Sequence, residues 1–173
     1  MDKPKIDTRK IPERESLHFA NLDEALARAN KLADAERAGK LQMLGNWTLG
    51  QNFNHLASWV GYSFEGVPLK VPGILRVAMK LFMKNAALHK PMPAGSRIPG
   101  VEGGTLGAEP ISTDDGLAKL TTNYDRLKAG PPTIPHLLFG PLTHQEWIDQ
   151  HLRHAELHLS FGKVNGQIEA GGK

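Results

Sequence analysis

Three histidines in the last stretch of helical period, His151, His154 and His158, stand where a chain of this kind usually places apolar side chains. At roughly 100° per residue, Asp149, Arg153, Glu156 and Ser160 gather on one side of that stretch, while Trp147, Ile148, Leu152, Ala155, Leu159 and Phe161 spread over the other. The histidines fall within the apolar arc. An imidazole taken out of water needs partners for its ring nitrogens. An inward row of three therefore predicts either a shared metal ion or a hydrogen-bonded cluster in a core or interface. His154 and His158 lie four apart, the separation that brings side chains on adjacent turns to one ion. Imidazole ligands suit zinc, nickel, iron and copper.

His55 sits on a different helical segment, between a Leu49, Phe53, Leu56 and Val60 stripe and a polar side with Gln51 and Ser58. Its placement alone reads as structural. His18, His89, His136 and His144 fall in an extended arm, at a helix end, in a loop and in a first turn, and are expected to be structural or surface residues. No phosphate-binding loop, G-x-S-x-G elbow, dinucleotide glycine motif or H-E-x-x-H occurs. Cysteine is absent, which excludes disulfides, thiolate ligands and a cysteine nucleophile, so any metal must use nitrogen and oxygen donors.

The elements that must position these residues are helical. The start and stop signals predict five helices and no strand, hence an all-α chain. Asn21 caps a first helix closing near Gly39, and Thr48 with Gln51 forms a capping box for a second running to about Phe64. A third runs from Pro72 to about His89, with Ile74, Val77, Ala78, Leu81 and Phe82 as its apolar residues. A fourth spans Ser112 to Lys128, and Thr143 with Glu146 opens the fifth, which reaches Phe161. Prolines and glycines crowd residues 90–110, a connection that is either a functional lid or poorly ordered. The organisation expected is an arm over 1–19, one helical domain over 20–162 and a flexible tail over 163–173.

At 173 residues, 40% hydrophobic and 23% charged, the chain suits one globular core. Its 21 Lys and Arg stand against 18 Asp and Glu, a formal net charge of only +3, and the cations are scattered. Arg76, Lys80 and Lys84 come closest to a stripe, and a solvated helix face explains them. Nucleic acid is therefore not an expected partner. The first seven residues carry no signal-peptide core and no apolar run is long enough to span a bilayer, so a cytoplasmic protein without a membrane partner is expected.

Two segments carry a family likeness: Trp47-Thr48-Leu49-Gly50-Gln51-Asn52-Phe53-Asn54-His55-Leu56-Ala57, and Phe139 to Trp147 continuing to His154-Ala155-Glu156-Leu157-His158. With the long crossover between them, they resemble the DinB/YfiT-like superfamily of four-helix-bundle proteins regarded as metalloenzymes, within a subfamily of unknown function. The resemblance implies an up-down four-helix bundle whose crossover carries an extra helix near 72–89. It implies three metal-ligating histidines, His55, His154 and His158, with His151 in a supporting or substrate-facing position. Members end the last helix with an Arg-Gly-Gln or Arg-Gln-like run after the final histidine, where this chain has Leu159-Ser160-Phe161-Gly162.

The expected function is that of a divalent-metal-dependent enzyme of hydrolase or thiol-transferase type. It would act on a small molecule with zinc or nickel foremost, iron next, and a thiol as further cofactor. The alternative is a non-catalytic helical binding or dimerisation module, a homodimer for example, with a structural histidine cluster.

Overall fold

The computed structural model describes residues 5–165. In chain order these form α1 (Leu22–Arg37), β1 (Leu41–Met43), α2 (Leu49–Glu65), α3 (Gly73–Phe82), α4 (Lys84–His89), α5 (Thr113–Ala129), α6 (His144–Leu159) and β2 (Gly162–Val164). A short 3-10 turn lies at Glu102–Gly104. The chain is mostly helical with a small two-stranded sheet.

Helix starts follow from side chains that accept otherwise unpaired first-turn amides. Asn21 and Ser112 accept from Glu24 and Asp115, and Thr48 and Thr143 form complete capping boxes with Gln51 and Glu146. With Pro72 as the N-cap of α3, all five expected starts are found at the expected residues, four of them with a side-chain cap. From these helices Leu22, Ala29 and Leu32, then Phe53, Leu56 and Val60, then Leu120, Tyr124 and Leu127, and finally Trp147, Leu152 and Leu159 meet in one core.

Three expectations need correction. Two strands exist where none was expected: β1 pairs antiparallel with β2, Leu41 opposite Val164 and Met43 opposite Gly162. That pairing orders residues 163 and 164, which were assigned to a flexible tail, while residues 166–173 of that tail lie outside the described residues. The third helix is two, interrupted at Met83 (φ −112°), because only the part after Met83 docks on α6 and buries Leu88. α3 itself buries no residue, so its apolar side faces outward rather than into the core.

The expected polar, outward side of α6 is also covered. Arg153, Glu156 and Ser160 are buried because the arm lies against them. The Phe19 amide donates to Glu156 Oε1 at 2.7 Å, Arg153 donates to the Phe19 carbonyl at 3.1 Å, and Arg153 pairs with Glu156 at 2.8 Å. Arg14 donates to Ser160 Oγ and stacks on Phe161.

α2 and α5 approach closely where their first turns meet. A Cβ on Gly50 would overlap the Ile111 carbonyl oxygen, and one on Gly116 would lie 2.9 Å from the Gly50 carbonyl oxygen. Gly50→Ala is expected to cost about 1–3 kcal/mol, as overpacking does. Gly73→Ala, which meets nothing within 4 Å, should be neutral or slightly stabilising. Urea unfolding of both variants, at unchanged m, checks the difference.

Candidate metal centre

α2 is buried almost all round, so its polar residues as well as its apolar stripe lie inside. His55 is among them, and it faces His154 and His158 of α6. The ring centroids are 4.9 Å apart for His55 and His154, 4.5 Å for His55 and His158, and 4.8 Å for His154 and His158. One ring nitrogen from each lies within 4.8 Å of the other two. Trp47 stacks on His158 with its plane 4° from parallel and 5.4 Å between centroids.

The hydrogen bonds around the rings fix their tautomers. A carbonyl only accepts, so His55 Nδ1 carries the proton it donates to the Leu106 carbonyl at 2.8 Å. Asn52 spends its amide N–H on the Thr48 carbonyl, which turns Oδ1 toward His158 Nδ1, 3.2 Å away, and makes that nitrogen the donor. The Nε2 atoms of His55 and His158 are thus left as lone pairs. His154 has one ring proton to offer against them, its Nε2 lies 3.1 Å from His55 Nε2, and its Nδ1 has no partner among the described residues. A cluster rich in lone pairs and short of protons suits a cation. The three rings fit a divalent ion in donor type, tautomer and spacing.

Electrostatics keeps the rings neutral. Burial lowers the His55 pKa to about 4, opposed in part by the Leu106 carbonyl. His154 and His158 are held well below the ordinary imidazole value, first by burial and then by the neighbouring histidines. Neutral imidazole is the form that ligates a metal.

The triad opens on a cavity of about 860 Å³ whose lining includes Trp47, Trp59, Leu138 and all three histidines. Residues 5–9 of the arm and parts of the 90–110 connection close its sides. That connection lies along α2. The Leu106, Ala108 and Glu109 carbonyls accept from His55, Gln51 and Asn54, and Gly107 (φ +72°) allows the approach, since a Cβ there would sit 2.5 Å from Ser58 Cβ.

His151 does not line the cavity. It is buried beside Trp147, with Nε2 3.0 Å from Ser63 Oγ. The Ser63 hydroxyl donates to the Trp59 carbonyl, so it accepts from His151 Nε2–H, and His151 does not act as a base toward it. A substrate-facing role for His151 does not follow from this placement. Among the other histidines, His18 lies against Arg153 and Glu156, His144 donates to the Leu127 carbonyl, and His89 is exposed. Sequence reasoning missed two partners of the triad. Asn52, one turn before His55, had a visible signal in its position; the Leu106 carbonyl has none in its side chain.

His136 supports the same end of α6. Its Nδ1 accepts the Leu138 and Phe139 amides, each at 3.1 Å, and its ring stacks on Phe139 and tilts against Trp147. Burial lowers its pKa from 6.5 to about 4. Because the folded-state value lies below the unfolded one, the stability tied to the neutral ring is complete above about pH 6.5 and is lost as pH falls toward about 4. In His136→Asn the amide oxygen can accept the same two amides without titrating. Its unfolding free energy is expected to fall less than that of the natural chain between those pH values, as measured by denaturant titration at each pH.

No curated protein and no solved structure matches this chain. One family model does, over residues 11–164, which takes in the latter part of the arm, every helix of the described residues, the triad and both strands. The chain belongs to the family described as protein of unknown function (DUF1569).

Proposed function

We propose that His55, His154 and His158 hold one divalent metal ion and that the protein is a metal-dependent enzyme, of hydrolase or thiol-transferase type, acting on a small molecule bound in the cavity. The proposal includes a DinB/YfiT-like four-helix bundle of α1, α2, α5 and α6, with α3 and α4 in the crossover. The observation that carries it is the convergence of two fixed Nε2 lone pairs and the His154 ring, three neutral nitrogen donors from two facing helices.

Three protein donors leave coordination positions open, as in catalytic rather than structural sites. Zinc or nickel suits them best, with iron next. Bound there, such an ion would lower the pKa of a water, polarise a carbonyl or hold a thiolate. The chain's own residues orient and shield: Asn52 and the Leu106 carbonyl hold two rings in their tautomers, and Trp47 and Trp59 form apolar wall beside them. The cavity has room for a small substrate and, for transferase chemistry, a thiol cofactor.

One observation favours a second reading. The 3.1 Å separation of His55 Nε2 and His154 Nε2 is a hydrogen-bond distance, as a metal-free cluster in a non-catalytic binding module would have.

Elemental analysis of protein purified without a metal-affinity tag separates the two. One equivalent of metal is expected, absent from a His154→Ala, His158→Ala double variant. Metal-free natural protein of unchanged stability supports the binding module instead. Asn52→Leu removes the Asn52 amide oxygen from His158 and should weaken metal affinity roughly 10- to 100-fold, measured by competition with a chelator. Turnover is then sought with thiol cofactors and electrophiles, and beside them with esters and amides.

A further inference from the structure

Six of the seven large hydrophobic side chains exposed among the described residues lie within ten consecutive positions: Ile74, Leu75, Val77, Leu81, Phe82 and Met83. Ile74, Phe82 and Leu81 are 85%, 78% and 69% exposed. On α3, Ile74, Val77, Leu81 and Phe82 make one face. At about 100° per residue Ile74, Val77 and Leu81 fall within roughly 60° of one another, and Arg76 and Lys80 point to the opposite side. A contiguous apolar patch of this kind marks an interaction surface.

The charge of the segment names the occupant. From residue 66 to residue 101 there is no Asp or Glu, while Lys70, Arg76, Lys80, Lys84, Lys90 and Arg97 fall within it. Six of the chain's 21 cations and none of its 18 acids are here, so the rest of the chain is net negative. Lys84 pairs with Glu146, and the other five form no ion pair among the described residues. A second copy docked on this face would bring two such cation sets together with no acid of the segment between them. An anionic surface meets both the charge and the apolar side chains.

We propose that α3 is an in-plane membrane-binding helix, which lays Ile74, Val77, Leu81 and Phe82 into the headgroup region of an anionic bilayer while Arg76 and Lys80 meet lipid phosphates. The form is that of an interfacial amphipathic helix: a large apolar face, a basic polar face and a short span. Ten residues reach about 15 Å, half the hydrocarbon thickness, and no helix of the described residues is long and apolar enough to cross a membrane. α3 therefore lies on the bilayer. It departs from the expectation of no membrane partner, which rested on the lack of an apolar run long enough to span a bilayer. It stands independently of the metal centre.

The full chain is tested by flotation with vesicles of phosphatidylcholine alone and of phosphatidylcholine with about one third phosphatidylglycerol. Binding to the anionic vesicles is expected to be at least roughly tenfold tighter and to weaken with salt. Arg76→Glu with Lys80→Glu should remove that preference, and Leu81→Ser with Phe82→Ser should reduce binding at least roughly tenfold, both with an unchanged circular dichroism spectrum. Equal binding to the two compositions, or unaltered binding by the serine variant, overturns the proposal. So does a dimer in sedimentation equilibrium that the serine variant dissociates, which would make this face an interface between copies.

Discussion

The second half of α6 is largely buried, and five of the buried residues, counting its C-cap, are polar or charged: His151, Arg153, His154, Glu156 and Ser160. A buried polar group without a partner costs more than a partnered one returns. Together these residues therefore draw two other parts of the chain, α2 and the arm, toward the helix. Ser63 of α2 accepts from His151, and His55 of α2 meets His154. The arm satisfies the opposite side, through Phe19 on Arg153 and Glu156 and through Arg14 on Ser160. The Arg153 and Glu156 pair illustrates the demand, since neither charge could be taken from water without the other and without the Phe19 backbone.

α2 sets the second half of the arrangement by the same rule. Asn52, Asn54, His55 and Ser58 are buried on a helix that already carries the apolar stripe. Lys119 of α5 donates to Asn54 and Ser58, and the returning connection supplies carbonyls to Gln51, Asn54 and His55. A stretch rich in proline and glycine has few backbone partners of its own, so the polar face of α2 determines its path. One bond in this set does double duty: the Leu106 carbonyl anchors the connection and orients the His55 ring. The cavity wall and the histidine triad are thus parts of a single hydrogen-bond system, with the rigidity that a site built on packed helices provides.

α3 is the counterexample within the same chain. Its apolar period is as regular as that of the buried helices, yet nothing covers it among the described residues, and the helical run bends its docking into α4 through Leu88 and the Lys84–Glu146 pair. Periodicity reports that a face is apolar, and leaves open whether protein or another phase lies against it.

Helix starts were legible in the sequence because a cap is local: Asn21, Thr48, Ser112 and Thr143 each bond an amide three residues on. The pairing of His154 with His158 was legible for the same reason, since four residues of helix bring two side chains to one face. The family resemblance, and no spacing, placed His55 with them; tertiary structure alone decided that Asn52 and Leu106 orient the rings, that the polar side of α6 lies inward and that β1 pairs with β2. These depend on groups far apart in the chain, 99 residues for His55 and His154, and on burial created only when the arm and the connection close over the helices. No period or spacing encodes a partner at that distance, because the burial that makes the partner necessary exists only in the folded state.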